Sequence, residues 1–85
     1  MTYAVLLLPA AEREWRKLPH EIRTRINRTL LALEDTPRPH GVTKLSGGSD
    51  RWRVRVGDYR IIYRIDDAAR EVTILRIAHR RQVYR

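Results

Sequence analysis

The sequence contains no cysteine, and glycine and proline contribute only four residues each. The lack of cysteine excludes disulfides and thiolate zinc sites, and it suits a reducing cytoplasm, where we expect the protein to reside. Long apolar runs are also missing. The run at residues 4–11 is about half the length needed to cross a bilayer. No basic segment precedes it, so we expect neither a signal peptide nor a membrane anchor.

Lysine is scarce too, because 16 of the 18 basic residues are arginine. The net charge is +8, and the excess is uneven: residues 1–50 carry eight basic and six acidic groups, whereas residues 51–85 carry ten and four. Codon composition would explain part of the arginine preference but not the clustering. The excess predicts an anionic partner: nucleic acid, an acidic protein or a membrane surface. The guanidinium fork, which can hold two phosphate oxygens at once, favours phosphate.

The first half of the chain predicts one strand and two helices. Residues 3–8 form an apolar run that we expect to be a buried strand. Pro9 suits the first turn of a helix ending near Leu18, and Pro19 opens a second helix. The second helix has an apolar face and an outward basic face, formed respectively by Ile22, Ile26, Leu30 and Leu33 and by Arg23, Arg25 and Arg28. The short joint between them predicts a helical hairpin.

The second half changes to a period of two. Residues 35–50 are rich in Pro, Gly, Ser and Asp and predict a long loop. Beyond it we expect strands at 51–56, 59–65 and 71–78, turns at 57–58 and 66–70, and a short polar tail at 79–85. The order β-α-α-β-β-β predicts a single α+β domain over residues 1–85. Its helical hairpin would pack on one face of a small, mostly antiparallel sheet.

The turn at Gly57-Asp58 fixes a register, because glycine stands first, as a type II′ turn requires. The core-facing pairs are then Val56 with Tyr59, Val54 with Ile61, and Trp52 with Tyr63. The other face pairs Arg55 with Arg60, Arg53 with Ile62, and Arg51 with Arg64. Like charges directly opposite each other are destabilising, so five arginines here need a counter-ion, which a row of phosphates could supply. The alternative is an ordinary solvated face on which arginine stems cover apolar surface.

Two segments carry a resemblance to a known family. Residues 52–63 read WRVRVGDYRIIY and residues 77–84 read IAHRRQVY. Together with the leading strand, the helical hairpin and Lys44-Leu45 in the loop, they resemble the RelE/ParE superfamily of bacterial toxins, most closely its RelE branch. The resemblance covers nearly the whole chain. It implies a type II toxin–antitoxin system whose toxin enters the ribosomal A site, cuts mRNA and is neutralised by a cognate antitoxin.

The resemblance also implies site residues. It points to Arg53, Arg55, Arg60, Arg80 or Arg81, and Tyr84. With His79 added for its chemistry, the predicted catalytic set is Arg53, Arg55, Arg60, His79, Arg80 and Tyr84. The further residues predicted to bind RNA are Lys44, Arg51, Arg64 and Arg81. Attack of an RNA 2′-hydroxyl on its neighbouring phosphate needs a base, an acid for the leaving oxygen, and cations for the developing charge. The arginines suit the cationic role, and Tyr84 could stack on a base or orient the sugar.

Proton transfer has no single assignment in the sequence. Some relatives have lysine at the positions of Arg53 and Arg55, and arginine stays protonated where lysine can become a general base. His79 is the neutral-pH titrating group near the cluster, so we nominate it as acid or base. Two alternatives stay open: His79 closes the last strand through hydrogen bonds, or the ribosome or substrate assists the proton transfer.

Three functions therefore compete. The first is a ribosome-dependent mRNA endoribonuclease; the second is a ParE-like inhibitor that binds DNA gyrase without nuclease chemistry; the third is an inactive member that only binds its antitoxin. Operator DNA would be bound only through the antitoxin complex, and no membrane partner is expected. His20 and His40 have no companions at ligand spacing, and Asp66-Asp67 lies in a turn, so we expect no metal site and no cofactor.

Overall fold

A computed structural model of the chain describes residues 2–45 and 50–83, without the side chains of residues 82 and 83. The elements in chain order are β1 (Ala4–Leu7), α1 (Pro9–Arg16), α2 (His20–Asp35), β2 (Thr43–Lys44), β3 (Arg51–Val56), β4 (Tyr59–Asp66), β5 (Glu71–His79) and α3 (Arg80–Val83). The predicted α+β class is confirmed. Two elements were not predicted: the short strand β2 inside the expected loop, and the short helix α3 at the start of the expected tail. No helix in the described ranges is long and apolar enough to cross a membrane.

Proline positions set the helical hairpin as predicted. Pro9 occupies the first turn of α1, and Pro19 stands at the N-cap of α2, where its missing N–H costs nothing. The predicted outward position of Arg23 is wrong, because this side chain covers the joint between the helices. Its guanidinium lies 5.0 Å from the Trp15 ring centroid and donates to the carbonyls of Arg16 and Leu18, at 2.9 and 3.1 Å. Arg23 thus satisfies one carbonyl at the end of α1 and one in the joint that follows it.

The five strands form one sheet in the order β1-β5-β4-β3-β2. Within the described ranges, only β1, paired with β5, runs parallel to its neighbour, so the sheet is mostly antiparallel, as expected. The prediction of a buried first strand is wrong, because β1 is an edge strand with alternating half-buried and exposed residues. Leu6, for example, is 48% exposed. An apolar run alone does not distinguish a central strand from an edge strand that has only one covered face.

The predicted hairpin register is confirmed at all six pairs of β3 and β4. Gly57 has a φ of 59°, which fits the first central position of a type II′ turn. The Arg25 guanidinium of α2 lies against this turn, and a Cβ on Gly57 would stand 3.1 Å from its Nη1 atom. Both the backbone conformation and this close approach therefore favour glycine at position 57.

The core lies between the helices and one face of the sheet. Its buried apolar side chains are Ala11, Leu18, Ile26, Leu33, Val56, Ile61, Tyr63, Ile65, Val72, Ile74 and Ile77. The Tyr63 hydroxyl donates to the Pro37 carbonyl at 2.8 Å, so its polar end is satisfied. Burial raises the pKa of Tyr63 to about 12. This bond also ties the loop after α2 to the central strand of the sheet.

A β-bulge shifts the register between β4 and β5. Ile62 pairs with Arg76 while Tyr63 pairs with Ile74, which leaves Leu75 as the extra residue. Beyond the end of β1, the edge of β5 is covered by Glu14 from α1. Its carboxylate accepts from the Ile77 N–H at 2.8 Å and from the Arg76 guanidinium at 2.7–3.1 Å. Glu14 thus satisfies an edge N–H that no neighbouring strand reaches.

Asp67 joins three distant segments at the β4–β5 turn. Its carboxylate accepts from the Tyr3 hydroxyl at 2.6 Å and from two Arg38 nitrogens at 2.9 and 3.2 Å. These Arg38 and Tyr3 bonds lower the pKa of Asp67 to about 2 from 3.8. The neighbouring Asp66 accepts from the Ala69 N–H at 3.0 Å, as predicted for a turn former.

The Asp67 contacts predict an acid-dependent loss of stability. A carboxyl whose folded pKa is depressed contributes stability above its unfolded pKa, and that contribution disappears as the pH falls toward the folded value. Between about pH 4 and pH 2, the melting temperature of Asp67→Asn should therefore fall less than that of the wild type. Asp35→Asn, at the exposed end of α2, is the control. Equal slopes for Asp67→Asn and wild type would contradict the assigned contacts.

Candidate nucleic-acid interface

The face of the sheet turned away from α1 and α2 carries the arginine cluster; we call it the open face. Three rows of cross-strand pairs cross it on β3 and β4: Arg55 opposite Arg60, Arg53 opposite Ile62, and Arg51 opposite Arg64. Thr43 of β2 extends the middle row, because it pairs with Arg53. Since residues alternate between the two faces of a strand, the core residues of β4 between these arginines fix their direction. The structure therefore brings five predicted site residues onto one face.

Arg60 is more enclosed than expected for the outer face of a sheet. It is 6% exposed, whereas Arg51, Arg55 and Arg64 are exposed and Arg53 is half-buried. A concavity of about 250 Å³ next to it is lined by Gly41, Thr43, Arg53, Arg55 and Arg60. The sequence pattern placed Arg60 on this face correctly but did not predict its burial. Two other residues of the lining, Gly41 and Thr43, belong to the segment that adds β2 to the sheet.

This concavity is suited to an anion. Among the residues that the structure describes, its lining contains three arginines, one glycine and one threonine, and none of these five side chains is a carboxylate. Guanidinium groups present several N–H donors in a planar fork that matches phosphate oxygens. Burial strengthens such contacts, because the low local dielectric screens charges less than water does. The site can therefore hold phosphate and stabilise negative charge that develops on it, but its arginines cannot accept a proton at neutral pH.

Lys44 does not join this cluster. It pairs with Trp52, so its side chain lies on the opposite face, and its Nζ stands 5.6 Å from the Trp52 ring centroid. The Arg38 guanidinium lies 5.1 Å from the same ring. Lys44 also forms an ion pair with Asp50 at 3.9 Å. The observed contacts of Lys44 are those of an edge residue that covers a tryptophan.

His79 also lies on the helix-side face of the sheet. It pairs with Tyr59, and the two rings meet edge to face at 5.4 Å between centroids. Its neighbour Ala78 is the residue that stands opposite Arg60. The His79 Nδ1 atom accepts from the Arg81 N–H at 3.3 Å. These contacts match the alternative in which His79 closes the last strand and orients the residues that follow.

The basic residues after β5 start beside the hairpin turn. The Arg80 N–H donates to the Asp58 carbonyl at 2.8 Å, which attaches the beginning of α3 to the β3–β4 turn. Arg80 and Arg81 are exposed. Tyr84, predicted to contact RNA, lies outside the described residues. Within the described ranges, no group of three or more His, Cys, Asp or Glu side chains could hold a metal ion.

Sequence reasoning missed Gly41 and Thr43 as parts of the candidate site. A two-residue strand is too short to give an alternation pattern, and the Pro- and Gly-containing segment around it predicts a loop. The one available signal was the position of Thr43 next to Lys44-Leu45, which forms part of the family resemblance. That signal does not indicate which face of the sheet the threonine occupies.

The fold and the arginine face define a class of small toxins. A family model described as the ParE toxin of type II toxin–antitoxin systems matches residues 5–84. The chain therefore belongs to the RelE/ParE superfamily of type II toxins, as the sequence motifs indicated. Among curated proteins it is 34% identical to Toxin RelG of Mycobacterium tuberculosis over 86 residues, which cover 100% of this chain and 99% of that protein.

Solved structures agree with this membership. The toxin–antitoxin complex RelBE2 of M. tuberculosis contains a chain that is 31% identical, with a TM-score of 0.83, covering 93% of this chain and 99% of that one. The archaeal RelE–RelB complex of Pyrococcus horikoshii gives 33% identity and a TM-score of 0.84, covering 94% and 97%. The matching chain of the intact RelBE complex of Escherichia coli is 25% identical, with a TM-score of 0.81, and the match covers 91% of this chain and 95% of that one. The family model thus carries the ParE name, whereas these relatives carry Rel names.

Proposed function

We propose that this toxin is a ribosome-dependent mRNA endoribonuclease that inhibits translation in the cytoplasm. The observation that carries the proposal is the buried Arg60 beside Arg53 and Arg55 in a concavity whose described lining residues include no carboxylate side chain. Three guanidinium groups converge on this concavity, and their N–H donors match the oxygens of a phosphate. The 34% identity with Toxin RelG and the Rel-named structural relatives support the RelE-like activity over the ParE-like one.

The proposed reaction is a transesterification within the RNA strand. The 2′-oxygen attacks the adjacent phosphorus, a P–O bond to the 2′-oxygen forms, and the bond to the 5′-oxygen of the next nucleotide breaks. The 2′-hydroxyl loses a proton and the leaving 5′-oxygen gains one, so the products are a 2′,3′-cyclic phosphate and a 5′-hydroxyl. Arg60 and Arg53 would hold the phosphate and stabilise its growing negative charge, and Arg55 would contact it from the exposed side.

Proton transfer is proposed to lie outside the arginine cluster. Arginine does not release its proton at neutral pH, and Thr43 is a poor base. Tyr84, the ribosome or the RNA itself would therefore supply the base and the acid. His79 would act as a positioning residue, since its Nδ1 holds the Arg81 N–H at the start of the basic C-terminal segment. Arg51, Arg64, Arg80 and Arg81 would contact the RNA backbone, and Lys44 would contribute only long-range charge.

A cognate antitoxin is the proposed regulator. Three relatives are described as complexes with their RelB-type antitoxins. An arginine face with half-buried Ile62 in its middle row suits an antitoxin segment that offers acidic side chains around an apolar anchor. Such a segment could be disordered until it binds. Operator DNA would be contacted only by the complex.

The test is cleavage on translating ribosomes. Purified protein is added to ribosomes translating a defined mRNA, and new 5′ ends are mapped by primer extension. We expect cuts at the A-site codon that disappear when the antitoxin is present. The same mRNA without ribosomes should stay intact. Message that remains intact on ribosomes would contradict the proposal.

A second candidate is a ParE-like inhibitor that binds DNA gyrase. The observation that favours it is the match of residues 5–84 to the ParE toxin family model. The charged residues in the described lining of the concavity are all arginine, which is also compatible with binding without turnover. Inhibition of gyrase supercoiling by the purified protein, together with intact mRNA on ribosomes, would favour this candidate. A protein active in neither assay would be an inactive member that only binds its antitoxin.

A further inference from the structure

The open face changes from basic residues near the hairpin turn to acidic residues at the other end of β4 and β5. From the hairpin turn it presents three rows that contain arginine, ending with Arg51 opposite Arg64. The next pair on this face is Asp66 opposite Glu71, at the other end of β4 and β5. Same-face rows lie about 6.6 Å apart along a strand, so the three basic rows span about 13 Å. The acidic pair follows them directly.

The acidic end forms a concavity of its own, of about 560 Å³. Its lining residues are Asp50, Arg64, Ile65, Asp66, Asp67, Glu71 and Thr73. Arg38 and Tyr3 hold Asp67, and Lys44 lies near Asp50. Among residues 2–45 and 50–83, neither Asp66 nor Glu71 forms an ion pair. Within those ranges, no cation of an ion pair therefore offsets these two carboxylates on the open face.

The separation of charges costs stability. Arg55 stands opposite Arg60, Arg51 stands opposite Arg64, and Asp66 stands opposite Glu71. Each pair of like charges is destabilising, and mixed pairs in the same positions would be favourable. Each of these cross-strand pairs on the open face thus contains charges of one sign only. Such an arrangement suits a negatively charged strand that binds the basic rows and is repelled by the acidic pair.

We propose that Asp66 and Glu71 form an electrostatic stop, which ends the RNA path on the open face. The inference rests on the proposed RNA function and specifies its substrate geometry. A single strand placed with one phosphate at Arg60 meets further arginines as far as Arg51 and Arg64, and then leaves the sheet. The stop limits the bound segment to a few nucleotides. It also prevents the strand from sliding along β4, which fixes the phosphate that stands at Arg60.

The test measures affinity against RNA length. Labelled 2′-O-methyl RNA lacks the attacking 2′-hydroxyl, so fluorescence anisotropy reports binding without cleavage. We use a series of oligonucleotides that differ in length by one nucleotide. Their affinity for the wild type should rise with length until the basic rows are filled and then reach a plateau. In the double variant Asp66→Asn, Glu71→Gln, the plateau should move to longer RNA. The longest oligonucleotides should then bind about threefold or more tightly, while the shortest keep wild-type affinity.

The matched control is Glu21→Gln, Asp35→Asn, which changes the net charge equally on the exposed side of α2. It should leave the plateau length unchanged, which separates a local effect from a net-charge effect. An unchanged plateau in the Asp66, Glu71 variant would overturn the electrostatic stop alone. A wild type that binds none of the oligonucleotides would overturn the stop as well, whereas the proposed function is overturned only by intact message in the ribosome assay.

Discussion

Replacing Arg60 with methionine should lower cleavage on the ribosome by at least about a hundredfold and leave the protein folded, with little change in melting temperature. Loss of one buried donor to a developing oxyanion typically costs a factor of 10²–10³ in rate, and Arg60 is 6% exposed beside the anion-binding concavity. Methionine fills a similar volume without the charge. It therefore keeps the packing and removes the repulsion from Arg55, which stands directly opposite.

Primer extension and thermal denaturation together test this prediction. Arg28→Met makes the same chemical change on the exposed surface of α2, so it should change neither cleavage nor melting temperature. Arg60→Lys keeps the charge but loses the fork and should give an intermediate rate. Full cleavage by a folded Arg60→Met protein would remove Arg60 from the mechanism. A large fall in melting temperature would instead make Arg60 a structural residue.

Local rules predicted the elements whose partners are close in sequence. Pro9 and Pro19 start their helices, and Gly57-Asp58 sets a hairpin register that holds at all six pairs. Each of these depends on a backbone restriction that one or two residues impose. The core side of β3 and β4 followed from the same register, because side chains alternate strictly along a strand.

The position of His79 was not predictable in this way. Strict alternation from the buried residues Val72 and Ile74 would place Arg76 toward the core and His79 on the open face with Arg60. The bulge at Leu75 reverses this order, so that Ile77 and His79 face the helices. Glu14 supports the reversed segment from α1, a contact 63 residues distant in sequence from the Ile77 N–H. The arginine cluster could thus be predicted from a local turn, whereas the side of the nominated histidine depended on a long-range contact.

The burial of Arg60 likewise could not be predicted from the local sequence. Its face followed from the turn, but the concavity beside it also contains Gly41 and Thr43, and Thr43 is placed there by the pairing of β2 with β3. Pairing a two-residue strand with a strand that lies beyond a loop is decided by tertiary packing, because no intrinsic preference of two residues suffices. Membership of the superfamily needed none of these details, because the hairpin and the His-Arg-Arg segment carry it in the sequence itself.

Ile61→Ala should destabilise the fold by about 2–5 kcal/mol, although it adjoins the arginine whose replacement is expected to leave stability intact. Ile61 is fully buried between the sheet and the helices, and truncation there removes buried methyl groups and leaves a cavity. A domain of this size has a total stability of roughly 5–15 kcal/mol, so the loss is a large fraction of it. Urea denaturation measures it, with an unchanged m-value showing that the transition still exposes the same surface.

The control for Ile61 is its other neighbour, Ile62. This residue lies on the open face, half-buried, between Arg53 and Arg76. Ile62→Ala should cost less than Ile61→Ala, because the side chain packs on one side only. Residues 60, 61 and 62 would then give three results: loss of cleavage with an intact fold, loss of fold, and a mild effect on stability. Equal destabilisation by the two alanine variants would contradict the two-face description, because it would mean that the open face is packed as fully as the core.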